Sequence, residues 1–255
     1  MQSLTIRAIQ SDILWEKPKG NLEKLTTLLK DTEEGELVVL PEMFATGFSM
    51  RPIEIAQPMD GEIVSWMKEN SKDKMICGTV AIVDGGNYYN RFLACYGGDV
   101  VALYDKRHLF SFAGEDKHYT EGKTLTVFEY KGWKIKPLIC YDLRFPVWCR
   151  NAVEADLMIF CANWPAVRIQ AWNSLLPARA IENQCFVVGV NRVGVDGTDN
   201  PHNGNSQLLD PLGNCLLNLG ENETNQTVIL EKEKLHSIRM KFPFLSDADK
   251  FTLSE

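Results

Sequence analysis

Long apolar runs are what this chain most plainly lacks. Its longest, such as residues 186–190, have the length of a buried strand, far short of the roughly 20 residues a bilayer-spanning helix needs. The N-terminus, MQSLTIRAIQSD, has no basic segment followed by an apolar one, so a secretory signal is not expected. Positive charge is scarce: 27 Lys and Arg stand against 34 Asp and Glu, a net charge of -7. The nearest basic run, 131–136, alternates with apolar residues and reads as a strand face. A nucleic-acid partner, which requires a basic patch, is therefore not expected, and neither is a membrane. No Cys-x-x-Cys occurs, and no His pair stands at zinc-ligand spacing. The cysteines (Cys77, Cys95, Cys140, Cys149, Cys161, Cys185 and Cys215) are odd in number and widely spread. Disulfide and zinc frameworks are both disfavoured, and a reducing cytoplasm fits. Most of these thiols lie in apolar runs and read as small core residues. Linkers, low-complexity tracts and solenoid repeats are also missing, so residues 1–255 read as a single domain. Nothing in the sequence indicates a cofactor or a bound metal.

What is present is enough hydrophobic residue, 45%, for a sizeable core. Alternation and β-branched content predict strands at 4–10, 36–40, 75–83, 88–96 and 100–105, then at 125–130, 133–139, 157–162, 186–193, 206–210, 215–219 and 227–230. Leucines 22, 25, 28 and 29 share one face of a helix over 19–32. Further helices are expected at 61–71, from Pro146 to about residue 155, at 169–183 and at 232–240. Pro146 suits a first helical turn, whereas Pro177 should kink or split its helix. The stretch 107–123 is polar, aromatic and irregular, in the manner of an active-site loop. Strands alternate with helices but hairpins are interleaved, which indicates α/β with mixed sheets, two of them packed together with helices outside.

Three polar residues share one placement: Glu42, Lys106 and Cys140 each follow an apolar strand. In open α/β sheets the carboxyl ends of the strands gather in one crevice. A carboxylate, an amine and a thiol gathered there could act together. The thiolate attacks a carbonyl carbon, the carboxylate moves the proton, and the ammonium opposes the developing oxyanion. A helix starting just after Cys140 would lower its pKa, and the N–H of Tyr141 would be a second oxyanion donor. Each residue also has an ordinary explanation. A cysteine after a strand is commonly core, a glutamate there commonly caps or is solvated, and a lysine is nearly always solvated.

The wider context outweighs those explanations. The chain contains Leu40-Pro41-Glu42-Met43-Phe44 with Gly47-Phe48, Tyr104-Asp105-Lys106-Arg107-His108-Leu109-Phe110, and Ile139-Cys140-Tyr141-Asp142-Leu143-Arg144-Phe145-Pro146. Further on stand Ala162-Asn163-Trp164-Pro165, Ala178-Arg179-Ala180-Ile181-Glu182-Asn183, Asn191-Arg192-Val193-Gly194, Gly204-Asn205-Ser206 and Asp210-Pro211-Leu212-Gly213. Any one of these is weak. In this order and spacing, over almost the whole chain, they resemble the nitrilase (carbon–nitrogen hydrolase) superfamily. The resemblance implies a four-layer α-β-β-α sandwich with two mixed sheets face to face, assembled as a homodimer or higher homo-oligomer. It implies Glu42, Lys106 and Cys140 as the catalytic triad. It also implies a second glutamate, best matched by Glu115 ahead of Tyr119 and Gly122, that positions Lys106 and substrate. Glu121 is a rival but stands too near the glycine. Pro177 departs from the pattern, interrupting a segment expected to be helical.

Cys-Tyr-Asp-Leu-Arg-Phe-Pro with Asn-Trp-Pro, and the closing Lys241-Phe242-Pro243-Phe244 with Asp247-Ala248-Asp249-Lys250-Phe251, resemble the omega-amidase branch. That branch hydrolyses the terminal amide of 2-oxo acid amides such as 2-oxoglutaramate, releasing ammonia. A carboxylate-bearing small-molecule amide calls for an arginine clamp. Arg144, Arg168 and Arg107 are the candidates, although Arg144 equally suits an ion pair bracing the nucleophile turn. Trp164 and Phe44 are expected to line the pocket, and Glu182 and Asn183 to brace the frame around it. Other reactions of the superfamily stay open (nitrilase, carbamoylase, deaminated-glutathione amidase), as does a non-catalytic binding module on the same fold.

Overall fold

Apolar residues at alternate positions of the first strand give it two different faces, and that pattern recurs through the chain. The structure is a computed structural model describing residues 2–150 and 155–252. In chain order its strands and helices are β1 (Ser3–Gln10), α1 (Pro18–Leu28), β2 (Leu37–Val39), α2 (Pro52–Ile55), α3 (Glu62–Asn70), β3 (Met75–Asp84), β4 (Asn87–Tyr96) and β5 (Asp99–Asp105). There follow β6 (Phe128–Tyr130), β7 (Trp133–Ile139), α4 (Pro146–Cys149), β8 (Leu157–Cys161), α5 (Ile169–Asn183), β9 (Phe186–Val190), β10 (Val193–Val195), β11 (Pro201–Asn203), β12 (Gln207–Leu209), β13 (Cys215–Asn218), β14 (Thr224–Glu231) and α6 (Lys232–Lys241).

One sheet runs β14-β1-β2-β3-β4-β5 and another β13-β12-β9-β8-β7-β6. Both are mixed. β1, β2 and β3 are mutually parallel, as are β7, β8 and β9, and antiparallel strands complete each sheet. One face of the first sheet supplies Leu4, Ile6, Ala8, Leu37 and Val39 to a core shared with Trp133, Ile135, Ile159 and Val188 of the second. That core continues into Trp172, Leu176 and Ala180 of α5. The other face of the first sheet, with Val38, Ile76 and Leu93, packs on Leu22 and Leu25 of α1 and Ile63 and Met67 of α3. The layers are therefore helix, sheet, sheet, helix. Each such buried side chain contributes about 1.5–3 kcal/mol of apolar burial. Among the described residues no helix is long and apolar enough to cross a membrane.

Several elements differ from expectation. α5 runs unbroken through Pro177. The proline removes only the bond to the Asn173 carbonyl, and the burial of Trp172, Leu176 and Ala180 holds the helix on both sides. The helix opening at Pro146 lasts one turn, because Arg150 swings to an extended ψ of 136°; the expected remainder at 151–154 lies outside the described residues. The strand expected over 186–193 divides. β9 ends at Val190, and Val193 restarts as β10 paired with β11. Lys136 is not on an exposed strand face. It is buried, and its ammonium donates to the carbonyls of Trp148 at 2.8 Å and Arg150 at 3.1 Å.

Candidate active site

β5 is antiparallel to β4, which is antiparallel to β3, so β5 runs in the direction of β2 and β3. The carboxyl ends of β2 and β5 therefore open at one edge, where the chain delivers Glu42 and Lys106. β7 delivers Cys140 from the facing sheet. The gathering foreseen from strand ends is realised, because ion pairs and charges link all three.

Lys106 is fully buried, and its Nζ donates to Glu42 Oε1 at 2.8 Å and to Glu115 Oε2 and Oε1 at 2.9 and 3.1 Å. All three ammonium protons are thus directed at carboxylate oxygens. Burial alone would lower its pKa, but the facing charges of Glu115 and Glu42 prevail and hold it above its ordinary value. Phe48 lies beneath the ammonium, 4.8 Å from ring centroid to Nζ. Glu115 sits in a short 3-10 turn after Gly114, whose φ of 78° favours glycine. Its Oε2 also accepts the Phe110 N–H at 2.6 Å. Burial raises the Glu115 pKa, the Glu42 charge adds to this, and Lys106 opposes it. Glu121 is exposed and pairs with Arg107 at 3.5 Å, so Glu115 is the glutamate brought to the lysine. Glu42 completes the set: its Oε2 accepts the Asn163 N–H at 2.8 Å, and the Asn163 side chain donates to the Glu42 carbonyl.

Cys140 opens a five-residue 3-10 turn with φ at 42°, a left-handed backbone uncommon for a side-chain-bearing residue. The expectation that a helix N-terminus lowers its pKa is not met. Burial pushes the thiol well above its ordinary value, and the Glu42 charge pushes it further, against the opposing pull of Lys106. A short 3-10 turn carries too little aligned dipole to offset that. The resting group is a thiol beside a carboxylate.

The turn is braced by residues whose roles were largely hidden in the sequence. Asp142 is fully buried. It accepts the Ile139 N–H at 3.0 Å, the Tyr104 hydroxyl at 2.7 Å and the His108 N–H at 3.0 Å, and lies 2.8 Å from His108 Nδ1. Arg179 donates to the Leu143 carbonyl and pairs with Glu182 at 2.9 Å, while Asn183 donates to the Arg179 carbonyl. Glu182 and Asn183 therefore do brace the frame, through Arg179. Asp142→Ala strands several buried donors at once. It is expected to lower stability by about 3 kcal/mol, read as a fall of about 10 °C in Tm; an unchanged melting curve would refute this account of the turn.

Over the thiol lies a cavity of ≈ 570 Å³, lined among others by Cys140, Lys106, Tyr141, Asn163, Trp164, Phe48, Phe110, Arg144 and Arg168. This is the size of a small-molecule site. Trp164 is both core and wall: it is buried, yet borders the cavity, and its backbone is held by Asn191. The Arg144 guanidinium lies 5.1 Å from the Trp164 ring centroid and that of Arg168 5.1 Å from the Phe110 centroid. Neither has a carboxylate partner among the described residues, so Arg144 does not form the bracing ion pair considered for it. Burial lowers the Arg168 pKa, the Cys140 side opposes this, and the nearby Arg144 charge adds to it.

Two expected pocket residues lie elsewhere. Phe44 is only 1% exposed and packs in the core on Trp66 at 5.9 Å, under Gly78, where any Cβ would come within 2.7 Å of its ring. Its place in the cavity wall is taken by Phe48, which the Gly47 turn directs inward. Arg107 turns toward Gly122, Glu121 and the Trp148 ring, outside the cavity lining. Residues with no sequence signal include His202, on the cavity wall. Burial pushes it down to about 4, so it is a neutral hydrogen-bonding group at pH 7. Asn90 of β4, between Tyr89 and Arg91, is a further residue that nothing in the sequence analysis singled out. Among the described residues no cluster of His, Cys, Asp and Glu could hold a metal ion.

Comparison with known proteins gives the family. A family model described as carbon-nitrogen hydrolase matches residues 5–239. The chain is 42% identical to an omega-amidase, YafV, of Yersinia enterocolitica, over 99% of this chain and 100% of that protein. It is 34% identical to a 2-oxoglutaramate amidase of Bacillus subtilis (strain 168), over 96% and 98%. A solved structure of a CN-hydrolase superfamily protein from Xanthomonas campestris, with an arsenic adduct in its active site, superposes with a TM-score of 0.96 at 41% identity, covering 100% of both chains. With a family match spanning the strands that build both sheets, this chain belongs to the carbon–nitrogen hydrolase family, whose members act on carbon–nitrogen bonds other than peptide bonds.

Proposed function

We propose that the chain is an omega-amidase that hydrolyses the terminal amide of a carboxylate-bearing 2-oxo acid amide, such as 2-oxoglutaramate. The observation that carries this is the Glu42–Lys106–Cys140 cluster, its two charged members fully buried, beside a cavity bordered by two arginines that have no carboxylate partner among the described residues. The names of the relatives from Yersinia enterocolitica and Bacillus subtilis point the same way.

In this reading Glu42 takes the thiol proton as Cys140 Sγ bonds to the amide carbon. The tetrahedral oxyanion is met by Lys106 and the N–H of Tyr141. Lys106 is free to do this by giving up its longest bond, the one to Glu115 Oε1. The C–N bond then breaks, and ammonia leaves with the proton from Glu42. The resulting thioester is attacked by water, which loses its proton to Glu42; the acid departs and the thiol is restored. Glu115 holds Lys106 in place throughout. The substrate carboxylate pairs with Arg168 and Arg144. The same reading makes the protein one catalytic domain working in a reducing cytoplasm, where all its cysteines stay free as they stand here. It also keeps the expected homo-oligomer.

The test is ammonia release from 2-oxoglutaramate beside a nitrile and an N-carbamoyl amino acid. Preference for the oxo acid amide in kcat/KM is expected; a higher value on either competitor would move the chain to another reaction of the family. Arg168 is half-buried and Arg144 exposed, so Arg168 carries more of the carboxylate binding. Arg168→Ala should raise KM for 2-oxoglutaramate by about 10- to 100-fold, the worth of a charge-assisted pair. Its effect on an amide without a carboxylate should be small, and equal losses on both would remove Arg168 from this role.

A further inference from the structure

Resting on the amidase reading above, the way the two buried carboxylates are held singles out one more residue. Asn90 lies in β4 opposite Ala81 of β3, fully buried in the layer beneath the cavity. Its Nδ2 donates to Glu42 Oε1 at 2.8 Å and to Glu115 Oε1 at 3.1 Å, so one amide spans both glutamates. Its backbone carbonyl accepts the Lys106 N–H at 3.0 Å. A single residue thus ties together the strand that delivers the lysine and the two acids around it.

Lone-pair accounting shows what this does. Each carboxylate oxygen accepts about two hydrogen bonds. Glu115 Oε1 takes Asn90 and Lys106, and Glu115 Oε2 takes Lys106 and Phe110 N–H. Glu42 Oε1 takes Asn90 and Lys106. Glu42 Oε2 takes the Asn163 N–H and keeps one lone pair, and the Cys140 thiol is hydrogen-bonded to the Glu42 carboxylate. We propose that Asn90 is a positioning residue of the active site: its amide binds both glutamates at once and leaves Glu42 Oε2, alone among the four oxygens, able to receive the thiol proton. Without the amide, Glu42 Oε1 and Glu115 Oε1 each regain a free lone pair, and the proton has more than one oxygen to settle on.

The cost of the arrangement is visible. Asn90 Oδ1 is buried with no hydrogen-bond partner among the described residues. A residue chosen for packing alone would not leave a buried acceptor empty. The Asn90 donors are therefore what its position retains.

The groups facing the cluster from neighbouring elements are Lys106, Cys140, Tyr119, Cys161 and His202. Tyr119 and Cys161 are raised by burial, and His202 is pushed down to about 4 by burial. None of these three changes charge between about pH 5 and 8, so an acid limb in that range reports on the carboxylates.

The experiment compares wild type, Asn90→Leu, which removes the donors without adding a charge, and the near-isosteric Asn90→Asp, which keeps the shape but sets a third carboxylate against the two glutamates. The proposal expects kcat on 2-oxoglutaramate, or whichever amide the wild type turns over, to fall by about 10- to 100-fold in both, with KM little changed. The acid limb of kcat/KM should move up by about one pH unit, because a carboxylate that loses a donor holds its proton more tightly. Cys140 alkylation by iodoacetamide supplies a readout that needs no substrate. Where the thiol ionises both carboxylates are already charged, and without the Asn90 donors that charge is less well stabilised and opposes the thiolate more strongly, so the midpoint of alkylation should move to higher pH. A wild-type acid limb and alkylation midpoint in Asn90→Leu would overturn the proposal. So would a lowered Tm accompanied by neither shift, which is the mark of a purely structural residue. If the wild type hydrolyses no amide but the alkylation midpoint shifts as described, the proposal stands and the amidase reading fails.

Discussion

Replacing Cys140 by alanine is expected to lower ammonia release by about 10⁵-fold or more, with the fold intact. The chemistry assigned to this site is covalent, and no other thiol can substitute. Among the free cysteines Cys77, Cys95, Cys149, Cys161 and Cys185 are buried, and only Cys140 lines the cavity. The substitution is structurally mild. The left-handed φ of 42° is no harder for alanine than for cysteine, and the turn is held by Asp142 and Arg179 rather than by the sulfur. The melting curve should therefore stay close to that of the wild type. Activity within tenfold of the wild type would sink the nucleophile assignment and the acyl-enzyme route with it.

Glu42→Gln is the second large effect, and its value lies in two readouts that move apart. The amide fills the same space but has no basic oxygen to take the thiol proton or to activate water. Turnover should fall by about 10²- to 10⁴-fold, the usual contribution of a positioned general base. The thiol itself should become easier to ionise. Burial is the first reason its pKa is raised and the Glu42 charge the second, while Lys106 opposes both. Removing the carboxylate charge leaves the lysine to favour the thiolate, so the midpoint of Cys140 alkylation should shift to lower pH. A simple loss of structure would depress both. A fall in turnover with an unchanged alkylation midpoint would place Glu42 too far from the thiol to be its base.

These two substitutions concern residues whose importance was legible in one dimension. Glu42, Lys106 and Cys140 all follow apolar strands, and strand direction in an α/β sheet determines where such residues meet. Alternation was enough to place most strands, because a one-residue shift would turn each apolar face to water. It failed where local sequence was outvoted. Pro177 argues for a break, but the helix containing it is fastened to the second sheet by Trp172, Leu176 and Ala180. Lys136 argues for solvent, yet backbone carbonyls of Trp148 and Arg150 satisfy it inside. Phe44 and Phe48 are both aromatic residues just past the glutamate. Only the turn at Gly47 separates the one that enters the core from the one that enters the cavity.

The sequence by itself determined α/β with mixed sheets and the placing of three residues at strand ends, which follow from periodicity and order along the chain; the four-layer sandwich and Glu115 over Glu121 followed from the resemblance of its ordered motifs to the carbon–nitrogen hydrolase superfamily. Tertiary structure alone decided the rest. It showed Asn90 bridging two glutamates from a neighbouring strand and Asp142 collecting donors from three segments. It set Arg144 over Trp164 and Arg168 over Phe110 with no carboxylate partner among the described residues, and held the Cys140 thiol above its ordinary pKa instead of below it. The reason is physical. Hydrogen-bond saturation, the field of nearby charges and the loss of solvent all depend on distances between residues far apart in the chain, and those distances exist only once the two sheets have closed on each other.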